Sequence, residues 1–231
     1  MLVLNGVDAG YGGVQVLRGL SFAARAGEVT CVMGRNGAGK STLLRCIMGL
    51  VRVREGEVLL DGQPIHQLPA HEVPRRGIGY VPQGRRLFGP LTVAENLDIG
   101  LMTRNRGAEV RERVLALFPR LRERLDQVSS TLSGGEQQML AIARALCLEP
   151  RVLLLDEPAE GLQPSMIALI RDTVVALRAT GVTVVLVEQR VDTALALADR
   201  VAFVTGGQVA EVLAAEGLTH DAPQFHRYLG V

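Results

Sequence analysis

The sequence lacks a surplus of either charge, a long apolar run and a large set of cysteines. Its 231 residues carry 25 basic and 24 acidic side chains, without the basic excess typical of nucleic-acid binders. No apolar stretch reaches the roughly 18 residues that cross a bilayer, and the N-terminus does not have the pattern of a signal peptide. Three cysteines, Cys31, Cys46 and Cys147, lie among apolar residues, which predicts buried reduced thiols in a cytoplasmic protein.

Short apolar strands alternate with amphipathic helical segments along much of the chain. We expect buried strands at residues 28–33, 151–158 and 182–187, and helices at residues 40–50 and 164–179. This alternation predicts an α/β protein whose mostly parallel sheet has helices on both faces. Alternating residues on both sides of Gly206 and Gly207 predict a hairpin near the C-terminus.

The middle of the chain has a different pattern. From about residue 88 to 150 the signals are mostly helical, and one amphipathic segment is interrupted at Pro119. We expect one domain over residues 1–231. Its core would comprise approximately residues 1–87 and 151–231, with a helical subdomain at approximately residues 88–150.

The stretch GRNGAGKST, residues 34–42, has the spacing G-x-x-x-x-G-K-[ST] between a predicted strand and a predicted helix. Such a loop binds phosphate oxygens through backbone N–H groups and the helix N-terminus. Lys40 would reach the β- and γ-phosphates, and the Ser41 hydroxyl would bind Mg²⁺. A glycine-rich turn that matches the spacing by chance is the alternative. The predicted nucleotide-binding residues of the loop are Gly34, Arg35, Asn36, Gly37, Ala38, Gly39, Lys40, Ser41 and Thr42.

Two acidic residues, Asp156 and Glu157, follow the apolar run VLLL at the end of the second predicted buried strand. In open parallel sheets, ligands bind just outside the carboxyl ends of the strands. Asp156 suits a hold on Mg²⁺, and Glu157 suits the polarisation of an attacking water. An ordinary pair of acids in a strand-to-helix turn is the alternative, and the phosphate loop makes the catalytic interpretation stronger.

The stretch LSGGEQQ, residues 132–138, looks like a helix start with two unexpected glycines. Ser133 and Glu136 have the spacing of a capping box. Gly134 and Gly135 would then begin the helix, although glycine costs about 1 kcal/mol relative to alanine there. An ordinary capped helix accounts for Ser133 and Glu136 only. A bare backbone that an anion can approach accounts for the glycines, which predicts a second anion-binding helix end.

These motifs, in this order and over nearly the whole chain, resemble those of the ATP-binding subunits of ABC transporters. YVPQG resembles the family's Q-loop, with Gln83, whereas LSGGEQQ resembles its signature motif and VLLLDEP its Walker B strand. Tyr11 lies where the family stacks an aromatic ring on adenine, and Val16 of the same stretch would also contact the nucleotide. A tyrosine that is merely packed is the alternative.

The resemblance implies a P-loop NTPase core with an added antiparallel β region and an inserted helical subdomain. It implies ATP and Mg²⁺ as cofactors. The implied catalytic residues are Glu157, Lys40, Gln83 and Gln189, and the implied metal ligands are Ser41, Gln83 and Asp156. In this family each ATP lies between one chain's phosphate loop and the partner chain's signature motif, here Ser133, Gly134, Gly135 and Glu136.

The resemblance also implies partners and a location. These are transmembrane permease subunits, a second ATP-binding subunit that is a copy or a related chain, and indirectly a solute-binding protein. The chain would bind peripherally at the cytoplasmic face of the inner membrane. We expect residues 84–97, including Arg85, Arg86, Phe88 and Leu91, to line a groove for a permease helix. A solvated basic loop is the alternative.

Two positions depart from the usual family pattern. Gln163 replaces the usual Asp of the D-loop, and Gln189 replaces the usual switch His; Gln can donate a hydrogen bond but cannot take up a proton. A degenerate site is one interpretation. A subfamily trait is the one we favour, because importers of branched-chain amino acids and urea also carry EQ here. GIGYVPQGRRLF and EGLQPS look closer to the urea-type member.

Three other classes of protein share part of this pattern. A P-loop kinase has no use for LSGGEQQ, and chromosome-maintenance or ribosome-acting relatives usually carry coiled coils or two cassettes. ABC exporters of lipid or polysaccharide share the fold but typically keep the Asp and the His that Gln163 and Gln189 replace here. The sequence therefore favours an ATPase subunit of an importer.

Overall fold

A computed structural model describes residues 1–105 and 107–230 of the chain. The strands are β1 (Leu2–Tyr11), β2 (Val14–Ala24), β3 (Val29–Met33), β4 (Val53–Leu60), β5 (Gln63–Pro64), β6 (Ile78–Val81), β7 (Val152–Asp156), β8 (Thr183–Val187), β9 (Arg200–Thr205) and β10 (Gln208–Ala214). The helices are α1 (Lys40–Ile47), α2 (Val93–Thr103), α3 (Ala108–Leu117), α4 (Pro119–Arg122), α5 (Gly134–Leu146), α6 (Pro164–Ala179), α7 (Val191–Leu197) and α8 (Pro223–Leu229).

The strands form two sheets. The larger has the order β10-β9-β3-β8-β7-β6. Its strands from β9 to β6 run parallel, and β10 pairs antiparallel with β9. The smaller sheet, with the order β2-β1-β4-β5, is antiparallel. The predicted parallel sheet, the C-terminal hairpin and the antiparallel β region are therefore present.

An apolar core covers each face of the parallel sheet, because successive strand residues point to opposite faces. On one face, Cys31, Leu153 and Leu155 pack toward α6, toward α7 and toward the helices between β6 and β7. Val32 and Leu154 pack toward α1 and the antiparallel sheet. All five are fully buried, and burial of such side chains stabilises the fold by about 1.5–3 kcal/mol each. This alternation fixes the sheet between two layers and directs its carboxyl ends to one edge.

The inserted region between β6 and β7 is helical in the described residues, as its sequence predicts. Helix α2 begins with a capping box of Thr92 and Glu95, and α3 and α4 are separated at Phe118, just before Pro119. Helix α5 packs on α2 and on β6. The division into a core and a helical subdomain at residues 88 and 150 stays a prediction.

Some predicted element bounds differ from those in the structure. The helix predicted at residues 40–50 ends at Ile47 because Gly49 adopts a left-handed φ of 68°, a conformation that stops a helix. Strand β6 was not predicted separately, since it has four residues and an interior glycine, Gly79. The three cysteines are buried and free of disulfides, as predicted. Among the described helices, none is long and apolar enough to cross a membrane.

Candidate active site

The loop between β3 and α1 curls back over the end of the sheet. Gly34 could not be replaced, because an added Cβ would lie 2.2 Å from the carbonyl oxygen of Val204. Gly39 adopts a φ of 108° just before α1, which a side chain would strain. The loop therefore presents bare backbone at the N-terminus of α1, the geometry that binds phosphate.

Lys40 lies inside this loop and is only 5% exposed. Its Nζ donates to the carbonyl oxygen of Gly34 at 2.7 Å and to that of Arg35 at 3.1 Å. Burial lowers the pKa of Lys40, while the nearby carboxylates of Glu157 and Asp156 oppose that shift. A buried cation that is held only by carbonyl oxygens can move to a more strongly charged acceptor such as a phosphate.

Asp156, the last residue of β7, is 1% exposed and reaches the phosphate loop. The Ser41 hydroxyl donates to its Oδ1 at 3.0 Å, and the Tyr80 hydroxyl donates to its Oδ2 at 3.4 Å. Burial raises the pKa of Asp156, and the hydrogen bond from Ser41 opposes the rise. The structure thus brings together Ser41 and Asp156, two of the three predicted metal ligands.

Glu157 follows in a left-handed conformation, with a φ of 49°, which is uncommon for a residue with a side chain. The Gln189 side chain donates to its Oε1 at 2.6 Å, and that of Gln83 donates to its Oε2 at 3.3 Å. Gln83 also donates to Oε2 of Glu160 at 2.9 Å. Three predicted catalytic residues therefore share one cluster, and Glu160 is a further member that the sequence reasoning missed.

A cleft of about 530 Å³ lies between these groups. Its lining includes the predicted residues Val16, Asn36, Gly37, Gly39, Lys40, Ser41, Thr42, Gln83, Glu157 and Gln189, together with Glu160. The lining does not include the predicted residues Gly34, Arg35, Ala38 and Asp156. Hydroxyl, amide and carboxylate oxygens from Ser41, Gln83 and Asp156 are the hard donors that suit Mg²⁺, so these residues fit the metal.

Tyr11 lies at the end of β1 and is 44% exposed. Its hydroxyl accepts a hydrogen bond from Arg45 of α1 at 3.0 Å. Of the two residues of this segment predicted to contact nucleotide, Val16 lines the cleft and Tyr11 does not. Stacking of Tyr11 on adenine stays a prediction.

The signature stretch begins α5 with the predicted capping box. The Ser133 hydroxyl accepts from the backbone of Glu136 at 3.3 Å, and Oε2 of Glu136 accepts from the backbone of Ser133 at 2.9 Å. None of residues 133–136 lines the cleft. Gly135 also has a packing cause within the chain, whereas Gly134 meets only the flexible end of a side chain. A Cβ on Gly135 would lie 2.7 Å from Cγ of Met166, and one on Gly134 would lie 3.0 Å from Nη2 of Arg85.

A second groove, of about 480 Å³, lies between α1 and the inserted helices. Of the predicted permease-contacting residues, only Arg86 lines it. Phe88 is 48% exposed beneath the guanidinium of Arg144, a groove residue, at 5.2 Å. Arg85 instead donates to the Gln137 side chain of α5 at 2.9 Å, because its left-handed backbone turns it toward the signature helix.

The phosphate loop at the carboxyl edge of a parallel sheet, with acids at the end of a neighbouring strand, defines a P-loop NTPase. A profile of the family described as ABC transporter matches residues 17–160. The chain belongs to the ABC transporter family. It is an ATPase subunit with the cassette fold, so the predicted fold class is confirmed.

Similar proteins agree with this assignment. The high-affinity branched-chain amino acid transport ATP-binding protein BraG of Pseudomonas aeruginosa is 45% identical, over 90% of this chain and 91% of BraG. The probable branched-chain amino acid transport ATP-binding protein LivF of Archaeoglobus fulgidus is 41% identical, over 88% of each chain. The dimeric structure of the bacterial ABC transporter cassette MJ0796 matches with a TM-score of 0.84 and 30% identity, covering 94% of this chain and 100% of that one.

Proposed function

We propose that this chain hydrolyses ATP to ADP and phosphate and thereby drives solute import through a membrane ABC transporter. One observation carries the proposal. Lys40, Ser41, Gln83, Glu157 and Gln189 come from separate parts of the chain and line a single cleft. Phosphoryl transfer is catalysed mainly by positioning and by neutralisation of charge, and this cleft holds groups for both.

Each residue has a role that follows from its contacts. Lys40 exchanges its two carbonyl acceptors for the phosphates, and the loop amides bind the remaining phosphate oxygens. Glu157 orients or deprotonates the attacking water, and Gln189 holds its carboxylate at 2.6 Å. Ser41, Gln83 and Asp156 would hold Mg²⁺, which would supply positive charge beside the phosphates.

A second chain completes the site in this proposal. Residues 133–136 lie outside the cleft of their own chain, while the start of α5 offers backbone N–H groups and the positive end of a helix. These groups bind the γ-phosphate held by the partner chain. ATP then joins two subunits and hydrolysis releases them. MJ0796 is described as dimeric, which supports association between cassettes, and we expect a heterodimer here.

The permease binds at the second groove, peripherally at the cytoplasmic face of the inner membrane. The groove lies where the inserted helices meet the core and contains Leu50, which is 57% exposed. Arg86 and Arg144 supply charge beside this apolar surface. Exposed apolar side chains within a groove are typical of a protein interface. Through the permease, the chain serves a solute-binding protein indirectly.

The cargo is a branched-chain amino acid or urea. The names of BraG and LivF, at 45% and 41% identity, favour a branched-chain amino acid. The stretches GIGYVPQGRRLF and EGLQPS favour urea through the resemblance described above. Reconstitution with the permease and solute-binding protein decides between them, because only the true solute stimulates ATP hydrolysis.

The Glu157→Gln variant tests the shared site. Its mass in solution is measured with and without Mg-free ATP, alone and mixed with candidate sister subunits. The variant keeps the phosphate loop but lacks the carboxylate that activates water, so ATP binds without being hydrolysed. A doubling of mass that requires ATP supports the proposal, and the mixture that doubles identifies the partner. The matched control Glu157→Gln/Lys40→Ala does not double, because its phosphate loop is disabled. If the variant binds ATP but its mass does not change, ATP alone does not join two subunits.

A matched pair of surface variants tests the permease groove. Leu50→Glu places a charge in the groove, whereas Val175→Glu places one on α6, at a residue of similar exposure, 50%. We expect Leu50→Glu to abolish copurification with the permease and Val175→Glu to preserve it. Equal retention of the permease by both variants would exclude this groove as its binding site.

A further inference from the structure

A buried carboxylate lies behind the cleft, at the first residue after β8. Glu188 is only 3% exposed. Its Oε2 accepts from the backbone N–H of Gln189 at 3.1 Å and from that of Arg190 at 3.3 Å. The backbone N–H of Ala159 faces the same carboxylate. Among the described residues, Oε1 is buried without a hydrogen-bond partner of normal geometry. Burial of a carboxylate is unfavourable, so its contacts call for an explanation.

One of these contacts, that with Ala159, reaches from the loop after β8 to the loop after β7. Ala159 belongs to the turn that carries Glu157, and Gln189 belongs to the turn that begins with Glu188. The two turns also meet at the cleft, where the Gln189 side chain donates to Glu157 at 2.6 Å. The backbone N–H of Glu157 donates to the carbonyl oxygen of Val187 at 3.0 Å. Glu188 therefore supports, from behind the cleft, the connection between the two turns that Gln189 and Glu157 make at the cleft.

The backbone of Glu157 needs such a support. Its φ of 49° is a conformation that costs about 1–3 kcal/mol and persists only where the surroundings hold it. The Glu188 carboxylate is hydrogen-bonded to its own turn and faces the N–H of Ala159 in the other, a position from which it can set the spacing of the two turns. Burial raises the pKa of Glu188, the amides of Arg190, Gln189 and Ala159 oppose the rise, and the charge of Glu157 adds to it. The amides are thus the stabilising contacts of this group.

We propose that Glu188 is a positioning residue for ATP hydrolysis. It holds the turn of residues 188–190 against that of residues 157–159, so that Gln189 meets Glu157 in the orientation that activates water. Glu188 acts through these two residues without contacting ATP. The inference rests on the proposed function, since it assigns Glu188 a part in the same reaction.

Substitution of Glu188 should change turnover more than ATP affinity. In the complex with the permease, we expect Glu188→Ala to lower kcat by about tenfold to a hundredfold, as loss of a supporting contact commonly does. KM for ATP should stay within about twofold, because Lys40 and the loop amides are untouched. Glu188→Gln keeps an oxygen for the amides and should lose less, and it serves as the informative variant if Glu188→Ala does not fold.

Two comparisons separate positioning from a merely structural role. In a Gln189→Ala background, Glu188→Ala should lower kcat by less than about threefold, because residues that act through one another are not additive. Val185→Ala, a control within β8, removes a fully buried apolar group and should lower the melting temperature but leave kcat unchanged. An additive effect of Glu188→Ala, or an equal fall of kcat in Val185→Ala, would overturn the inference.

Hydrogen exchange gives a readout that needs no activity. The amides of Ala159, Gln189 and Arg190 should exchange faster in Glu188→Ala than in the wild-type chain, and unchanged exchange overturns the inference. If the wild-type complex shows no hydrolysis, the proposed function fails and this inference fails with it. If the wild-type complex hydrolyses ATP and Glu188→Ala does so at the same kcat, only the inference about Glu188 is wrong.

Discussion

Replacement of Gly135 by alanine should destabilise the chain through one neighbour, Met166. The added Cβ would lie 2.7 Å from Cγ and 2.8 Å from Cε of that side chain. Ordinary contacts between carbon atoms are about 3.5–4.0 Å. Cγ is close to the root of the methionine side chain, so only a change of its first side-chain torsion moves it away. The crowding therefore has to be relieved by another rotamer of Met166 or by a shift of α5 or α6.

Two opposing effects set the size of the change. Overpacking costs about 1–3 kcal/mol, and alanine is about 1 kcal/mol better than glycine in a helix. We therefore expect a net loss of about 1 kcal/mol for Gly135→Ala, or roughly 2–4 °C in melting temperature for a chain of this size. In a Met166→Ala background the crowding is absent, so the same substitution should raise the melting temperature. The sign of the effect reverses.

Thermal unfolding of the four chains of this double-mutant cycle, without nucleotide, measures the effect. Gly134→Ala is the matched control, because its Cβ would meet only the flexible end of Arg85 at 3.0 Å; its melting temperature should not fall. A fall of similar size for Gly135→Ala with and without Met166 would refute the packing argument.

The same control tests the role of the glycines toward a partner. Gly134→Ala leaves the fold intact but places a methyl group at the start of α5. In a Glu157→Gln background it should abolish the ATP-dependent doubling of mass, because the partner's phosphate can no longer approach the backbone. If that variant still doubles with ATP, the partner's phosphate does not need the bare backbone at Gly134.

Three further results are expected. Lys40→Ala should weaken ATP binding by about tenfold to a hundredfold, the loss of hydrogen bonds from a charged donor, measured by titration with a fluorescent ATP analogue. Gln189→Ala should lower ATP turnover because Glu157 loses its 2.6 Å partner; an unchanged rate in the permease complex would contradict a role for Gln189. Burial raises the pKa of Cys46 and Cys147 to about 12, so neither thiol should react with iodoacetamide at pH 8 until the chain is unfolded; rapid reaction of the folded chain would contradict their burial.

Local pattern was enough to predict the parts of the molecule that depend on adjacent residues. The phosphate loop has a fixed spacing between a buried strand and a helix, and helix α6 has the predicted bounds, 164–179. The capping box of Ser133 and Glu136 follows from a three-residue spacing. The gathering of Asp156 with Ser41 follows from a general property of parallel sheets, whose carboxyl ends share one edge.

Contacts between distant residues were not predictable in the same way. The hydrogen bond from Gln83 to Glu160 joins residues 77 positions apart, and the crowding of Gly135 by Met166 depends on how α5 meets α6. The hydrogen bond from Arg45 to the Tyr11 hydroxyl joins residues 34 positions apart. The second groove is lined by residues from α1, β6, α2 and α5, which are far apart in the sequence. Such contacts depend on tertiary packing, which the hydrophobic periodicity of a sequence does not predict.

The bonds from Gln83 to Glu157 and Glu160 have a consequence for the motion of the inserted helices. Gln83 lies just after β6, where the chain leaves the core for that region. Exposed hydrogen bonds contribute about 1 kcal/mol each, so the pair favours the attached arrangement by roughly thirtyfold. A few per cent of the molecules would then have Gln83 released at any moment. The segment at Gln83, which links the ATP site to the inserted helices, thus exchanges between an attached and a released arrangement. A ligand can shift this equilibrium by binding one arrangement more tightly.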